Sequence, residues 1–183
     1  NILEDHFVHV IEIESEDAFD GLSATALTID GQISAAAVVT RKHISGGRQR
    51  LNLTHELGHL VLDVDPGVDE EKAAFRFASA FLAPADNLIN KIGVRRSHIT
   101  LDELLLYKKI YGMSLQAILY RLKDLEIINS STYKNWCIKI NQMGFRKTEP
   151  AELEYEEPQW LKRSVYRALV EGLISKGEAE SLL

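Results

Sequence analysis

Hydrophobic and polar positions along the chain change period near residue 51. Before that point the apolar runs are short and rich in Val and Ile. Residues 7–13 (FVHVIEI) predict a first strand and residues 22–29 (LSATALTI) a second. Asp30-Gly31 follows, then the apolar run 33–40 (ISAAAVVT), so the spacing predicts a two-residue hairpin turn and a returning third strand. The basic, Gly-containing stretch 41–50 (RKHISGGRQR) reads as a loop.

From Leu51 apolar residues recur at helical spacing. Leu53, Leu57, Leu60, Val61 and Val64 form one stripe, predicting a helix over 51–64 that Asp65-Pro66-Gly67 stops. A second helix is expected over 70–83, ended by Pro84. Thr100 with Glu103 forms a capping box that opens a third, closed by Gly112. Ser114 caps a fourth, which carries Leu115, Ile118, Leu119, Leu122 and Leu125 on one face, and a fifth is expected over 131–143. Residues 149–159 (EPAELEYEEPQ) concentrate glutamate and proline and read as a linker or extended surface segment. Helical patterning resumes at 160–174, and Ser175 with Glu178 predicts a last capped helix.

Strands first and helices after predict an α+β fold: a small antiparallel sheet with an active-site helix, followed by a helical subdomain. The expected division is residues 1–147 as one domain and 148–183 as an acidic linker with C-terminal helices. Composition agrees with a folded chain. Of 183 residues 45% are hydrophobic, which suffices for a core and excludes a disordered polymer. The net charge of −6 lacks the basic signature of a nucleic-acid binder, and no apolar run is long enough to span a membrane. The one cysteine, Cys137, shares an apolar helix side with Tyr133, Trp136 and Ile140 and is expected to be a buried structural thiol.

Chemistry concentrates in His55-Glu56-Leu57-Gly58-His59, an H-E-x-x-H pattern inside the helix just predicted. Histidines four apart lie on one helix face, close enough for both imidazoles to reach one Zn²⁺. Glu56 beside them suits a base acting on water, not a ligand. Gly58 costs about 1 kcal/mol in a helix interior, so a neighbouring backbone is expected to approach it closely. Two histidines need a third protein ligand. Asp65, Asp69, Glu70 and Glu71 follow in the chain, and only a residue on a second, crossing helix can point back. Glu71 shares a face with Ala74, Phe75 and Ala78, where small residues permit close packing, and is preferred over Glu70.

His6, His9, His43 and His98 lack any spacing signal and read as ordinary histidines. His98, Tyr107 and Arg41 are candidates for stabilising a tetrahedral intermediate, with no ground to choose among them. Arg41, Lys42, Arg48 and Arg50 could meet an acidic partner, though a solvated loop is the simpler reading. Helix, Gly112-Met113-Ser114, helix looks like a helix-turn-helix. Its second helix sets Arg121 and Lys123 against Asp124 and Glu126, which does not suit DNA recognition.

The ordered features, Thr54, HELGH over 55–59, Leu60, then Glu71 followed by Ala74, Phe77, Ala78 and a closing Leu82-Ala83-Pro84, resemble the ImmA/IrrE family of metallopeptidases. That family's second element reads approximately E-x-x-A-N-x-F-A-x-x-L-L-M-P, which sets its Glu ligand on Glu71. Here Phe75 stands where Asn is usual, and Phe81 and Ala83 where Leu and Met are usual. The resemblance implies a gluzincin-like, zinc-dependent endopeptidase of bacterial or phage origin. It further implies a cytoplasmic protein acting on a DNA-binding repressor. Residues 166–175 (YRALVEGLIS) resemble the end of members that carry a helix-turn-helix domain upstream, which fits a chain beginning at Asn1. The competing reading is a regulatory interaction module, or one linked to DNA, that keeps the zinc-site scaffold with little or no proteolysis. An intact Glu56 favours the enzyme.

Overall fold

A computed structural model describes residues 2–15, 19–146 and 148–183. The fold is α+β. The chain divides into two compact units, Asn1–Lys42 with Glu156–Leu183, and His43–Tyr155. This differs from a division at residue 147.

The first unit holds a short helix α1 (Ile2–Asp5), strands β1 (Val8–Ile13), β2 (Gly21–Leu27) and β3 (Ile33–Arg41), and helices α8 (Trp160–Val170) and α9 (Lys176–Leu182). The sheet order is β1-β3-β2. The expected antiparallel sheet is instead mixed. β2 runs antiparallel to β3, whereas β1 runs parallel to it, with Val8 opposite Ala36 and Ile13 opposite Arg41. β3 is the only one of the three with neighbours on both sides, and Val38 within it is wholly buried. The hairpin turn is also longer than two residues. Thr28 and Gln32 pair across it, Gly31 donates to the Thr28 carbonyl at 2.9 Å, and Gly31 has φ 79. Glycine is needed because that left-handed position closes a three-residue loop.

α8 belongs with this sheet through contacts that no local pattern announces. The buried Glu4 carboxylate accepts from the backbone N–H of Gln159 and of Trp160, both at 2.9 Å, and so caps the start of α8. The Trp160 indole donates to the Val10 carbonyl at 2.7 Å, and its ring packs on His9.

The second unit contains α2 (Gly46–Val61), α3 (Glu70–Leu82), α4 (Ala85–Ile92), α5 (Leu101–Tyr111), α6 (Leu115–Asp124) and α7 (Ser130–Gln142). Its core gathers Leu88, Ile99, Leu104, Leu119, Leu122 and Ile140, all at most 1% exposed. The capping box of Thr100 and Glu103 forms as expected, and Gly112 ends α5 at φ 64. The Thr100 backbone N–H donates to the Glu103 carboxylate and, with Arg96 beside it, holds that carboxyl below its ordinary range. α4 has no counterpart in the sequence reading. Pro84 ends α3 and at once precedes a new helix whose Leu88 and Ile92 are buried.

α2 begins at Gly46, not Leu51, and stops at Val61, so Val64 lies beyond it. The expected loop 41–50 is therefore half helix. A Cβ at Gly46 would overlap the Glu154 carbonyl, and one at Gly47 would press on the Leu153 side chain. These glycines admit a crossing chain; they do not mark a flexible loop. That crossing chain is the acidic stretch. It forms neither helix nor strand, as a linker would, yet it is anchored: Glu149 accepts from buried Lys108 at 2.7 Å and from the Leu115 N–H at 3.0 Å.

Candidate metal centre

The site is built where α2 and α3 pack together. Gly58 shows why they come so close. A Cβ placed there would lie 3.1 Å from the Ala74 Cα and 3.2 Å from the Phe77 ring. Ala74 and Ala78 are 1% and 0% exposed. The close backbone approach expected at Gly58 is therefore that of Ala74, one turn after Glu71. Two further bonds hold α3. Asp69 caps its start, accepting from the Lys72 N–H at 3.1 Å, while the Lys72 ammonium at 2.8 Å holds the Asp69 carboxyl below its ordinary range. At its other end the buried Arg121 donates to the Ala83 carbonyl at 3.1 Å.

This packing brings His55, His59 and Glu71 together. One ligand atom from each lies within 4.8 Å of the others. His55 Nε2 and His59 Nε2 are 3.1 Å apart, His55 Nε2 is 3.2 Å from Glu71 Oε2, and His59 Nε2 is 3.4 Å from Glu71 Oε1. Ligand atoms on a tetrahedral zinc, at bonds of about 2.0–2.1 Å, stand about 3.3–3.4 Å apart. The donor set and its spacing fit that ion.

Glu70 does not join the three. Its Oε1 lies 3.2 Å from His59 Nδ1, on the far side of the ring. With Glu70 at Nδ1, His59 presents its other nitrogen, Nε2, to His55 and Glu71. The second nitrogen of His55 is supported differently. His55 Nδ1 is buried with no hydrogen-bond partner among the described residues. The Phe75 ring lies against the imidazole, with centroids 4.1 Å apart. Sequence reasoning missed both neighbours. The available signal was chemical: metal-bound histidines commonly give their other N–H to a carboxylate, and two adjacent acids begin α3.

Glu56 is buried, 8% exposed, and carries no hydrogen bond or ion pair among the described residues. Neither carboxylate oxygen is among the fully buried unpartnered atoms, so the carboxylate keeps access to the space beside the cluster, where a base can meet water. The other candidates lie elsewhere. Tyr107 is in the helical core, its hydroxyl donating to the Lys91 carbonyl at 3.3 Å. His98 precedes α5, and Arg41 ends β3 in the first unit. His6 follows α1, His9 sits on Trp160, and His43 precedes α2 at φ 60. Lys42 pairs with Glu14, while Arg48 and Arg50 lie in the first turns of α2. Asp65 lies in the turn between α2 and α3. Cys137 is half-buried, not fully buried. No helix among the described residues is long and apolar enough to cross a membrane.

Comparison with curated proteins finds no match. The family model Peptidase_M78, described as the IrrE N-terminal-like domain, matches residues 14–123, which span β2, β3 and the helices that carry all three clustered residues. With more than half of its length matched and the histidine pair, the acid and the α+β fold in place, the chain belongs to the Peptidase_M78, IrrE N-terminal-like family of metallopeptidases.

Proposed function

We propose that this chain is a zinc-dependent endopeptidase that hydrolyses a peptide bond in a protein substrate. The observation that carries this reading is the convergence of His55, His59 and Glu71 on one point, with Glu56 in the same turn as His55. His55, His59 and Glu71 would hold the ion. A bound Zn²⁺ supplies Lewis acidity, polarising the scissile carbonyl and acidifying water. Glu56 takes the proton of the attacking water and delivers it to the leaving amine nitrogen as the C–N bond breaks. Glu70 keeps His59 in the tautomer that presents Nε2. The helix packing at Gly58 sets the distance between the histidine pair and Glu71. The resemblance drawn from the sequence supports a DNA-binding repressor as the substrate and the cytoplasm as the place of action.

The test is Glu56→Gln, which keeps side-chain size and all three clustered residues. Cleavage of a co-incubated repressor is expected to fall at least about 10²-fold, the low end for a positioned general base. Zinc content and fold are expected to stay at wild-type level. Derepression that survives this variant, with zinc still bound, would refute proteolysis as the source of function.

A further inference from the structure

Beside the clustered residues, within the second unit, lies a cavity of about 470 Å³ between α2, α3 and α6. Leu51, Phe75, Ala117 and Tyr120 form its apolar walls, and Lys72 and Arg76 also line it. Its size and lining fall in the range of pockets that take organic ligands, about 300–1,000 Å³ and mostly apolar. Its place follows from helix geometry. Leu51 lies one turn before His55 on the same face of α2, and Phe75 one turn after Glu71 on the same face of α3. The Phe75 ring is shared: one side lies against His55 and the residue also lines the cavity. The pocket therefore begins where the clustered residues end.

Two of its walls are aromatic rings left half in water. Phe75 is 52% exposed and Tyr120 50%. Tyr120 is backed by the Lys123 ammonium, 4.9 Å from its ring centroid. Arg76 makes no ion pair among the described residues, whereas Lys72 is engaged by Asp69. Large apolar surfaces on neighbouring helices, turned to one concavity with an unpaired guanidinium beside them, suit a peptide better than water.

We propose that this cavity is the subsite for one bulky apolar side chain of the substrate, aliphatic or aromatic, next to the bond that is cut. Arg76 is available to a backbone carbonyl or an acidic neighbour of the same peptide. Phe75 makes the subsite aromatic at the position where the resembling family usually carries Asn. The proposal rests on the peptidase reading, and the experiment separates the two.

The Glu56→Gln chain, loaded with zinc, is titrated against a positional-scanning library of short peptides. Enrichment of Leu, Met or Phe at one position is expected. Ala117→Leu, which fills the cavity, is expected to weaken binding of the selected peptides about tenfold or more with zinc content unchanged. Tyr120→Ala, at a half-exposed position, removes one wall without filling the core and is expected to weaken the same peptides. Absence of an apolar preference at every position would overturn the subsite. So would a preference that both variants leave intact. Selected peptides that bind through the pocket but are left uncut by wild type would uphold the pocket and overturn the peptidase reading. Cleavage with no apolar preference would do the reverse.

Discussion

His59 is held from two sides, by Glu70 at Nδ1 and by the cluster at Nε2, whereas His55 Nδ1 has no hydrogen-bond partner among the described residues and the His55 ring lies against Phe75. The two acids that begin α3 therefore occupy separate places, and under the proposed function substitution should tell them apart. On the proposed ligand set Glu71→Gln removes an anionic ligand. Glu70→Gln leaves the ligand set intact but weakens the partner that orients His59, a change that typically costs 10- to 100-fold in metal affinity. In a zinc competition titration Glu71→Gln is expected to lose more affinity than Glu70→Gln, and both more than a charge change at a solvated helix end would cause. Phe75→Asn should act in the opposite direction. It offers His55 Nδ1 an acceptor, with an expected gain of about tenfold. An affinity that Phe75→Asn leaves unchanged would show that His55 needs no further partner. Equal losses for the two acids would dissolve the division of labour.

Among the elements, the contact between α2 and α3 decides whether a site exists. Gly58 lies between the two histidines, and the backbone of α3 occupies the room a side chain would need. Gly58→Ala sets a helix-propensity gain of up to about 1 kcal/mol against a displacement of α3 by a few tenths of an ångström. Gly58→Val has no such compensation. It is expected to lower stability by about 1–3 kcal/mol, the usual range for overpacking, and to weaken zinc binding although no ligand is changed. Urea unfolding read beside zinc content checks both. Wild-type zinc affinity in a destabilised Gly58→Val chain would show that the cluster tolerates a wider helix spacing.

Across the whole molecule, the first unit is closed by residues more than 150 positions apart. Glu4 is buried chiefly to cap α8, and removing it leaves two N–H groups without their acceptor. Glu4→Ala is expected to lower stability by about 1–2 kcal/mol, within the range for a lost helix cap. Amide exchange should speed up at both α8 and β1, since Trp160 joins them. Exchange confined to α8, with β1 protected as before, would show that the sheet stands without the C-terminal helices.

Much of this protein is legible from local spacing because the responsible forces are local. A histidine four residues from another must share its helix face, and Thr100 with Glu103, or Ser175 with Glu178, must close a capping box if a helix starts there. The H-E-x-x-H pair, the preference for Glu71 over Glu70 and the need for a close backbone at Gly58 all follow from such rules. Other features depend on segments that meet only after folding. The parallel pairing of β1 with β3, the early start of α2 under residues 153–154, the anchoring of Glu149 by Lys108 and the joining of α8 to β1 have no signature in the spacing of the residues involved. The same holds for Glu70 on His59 and Phe75 on His55. Periodicity reports which face of an element is apolar, but which partner covers that face is settled by the free energy of the assembled chain. In this chain the sequence alone determined which residues share the histidine face of α2 and which acids begin α3, because helix periodicity is local; tertiary packing decided that they meet and what surrounds them.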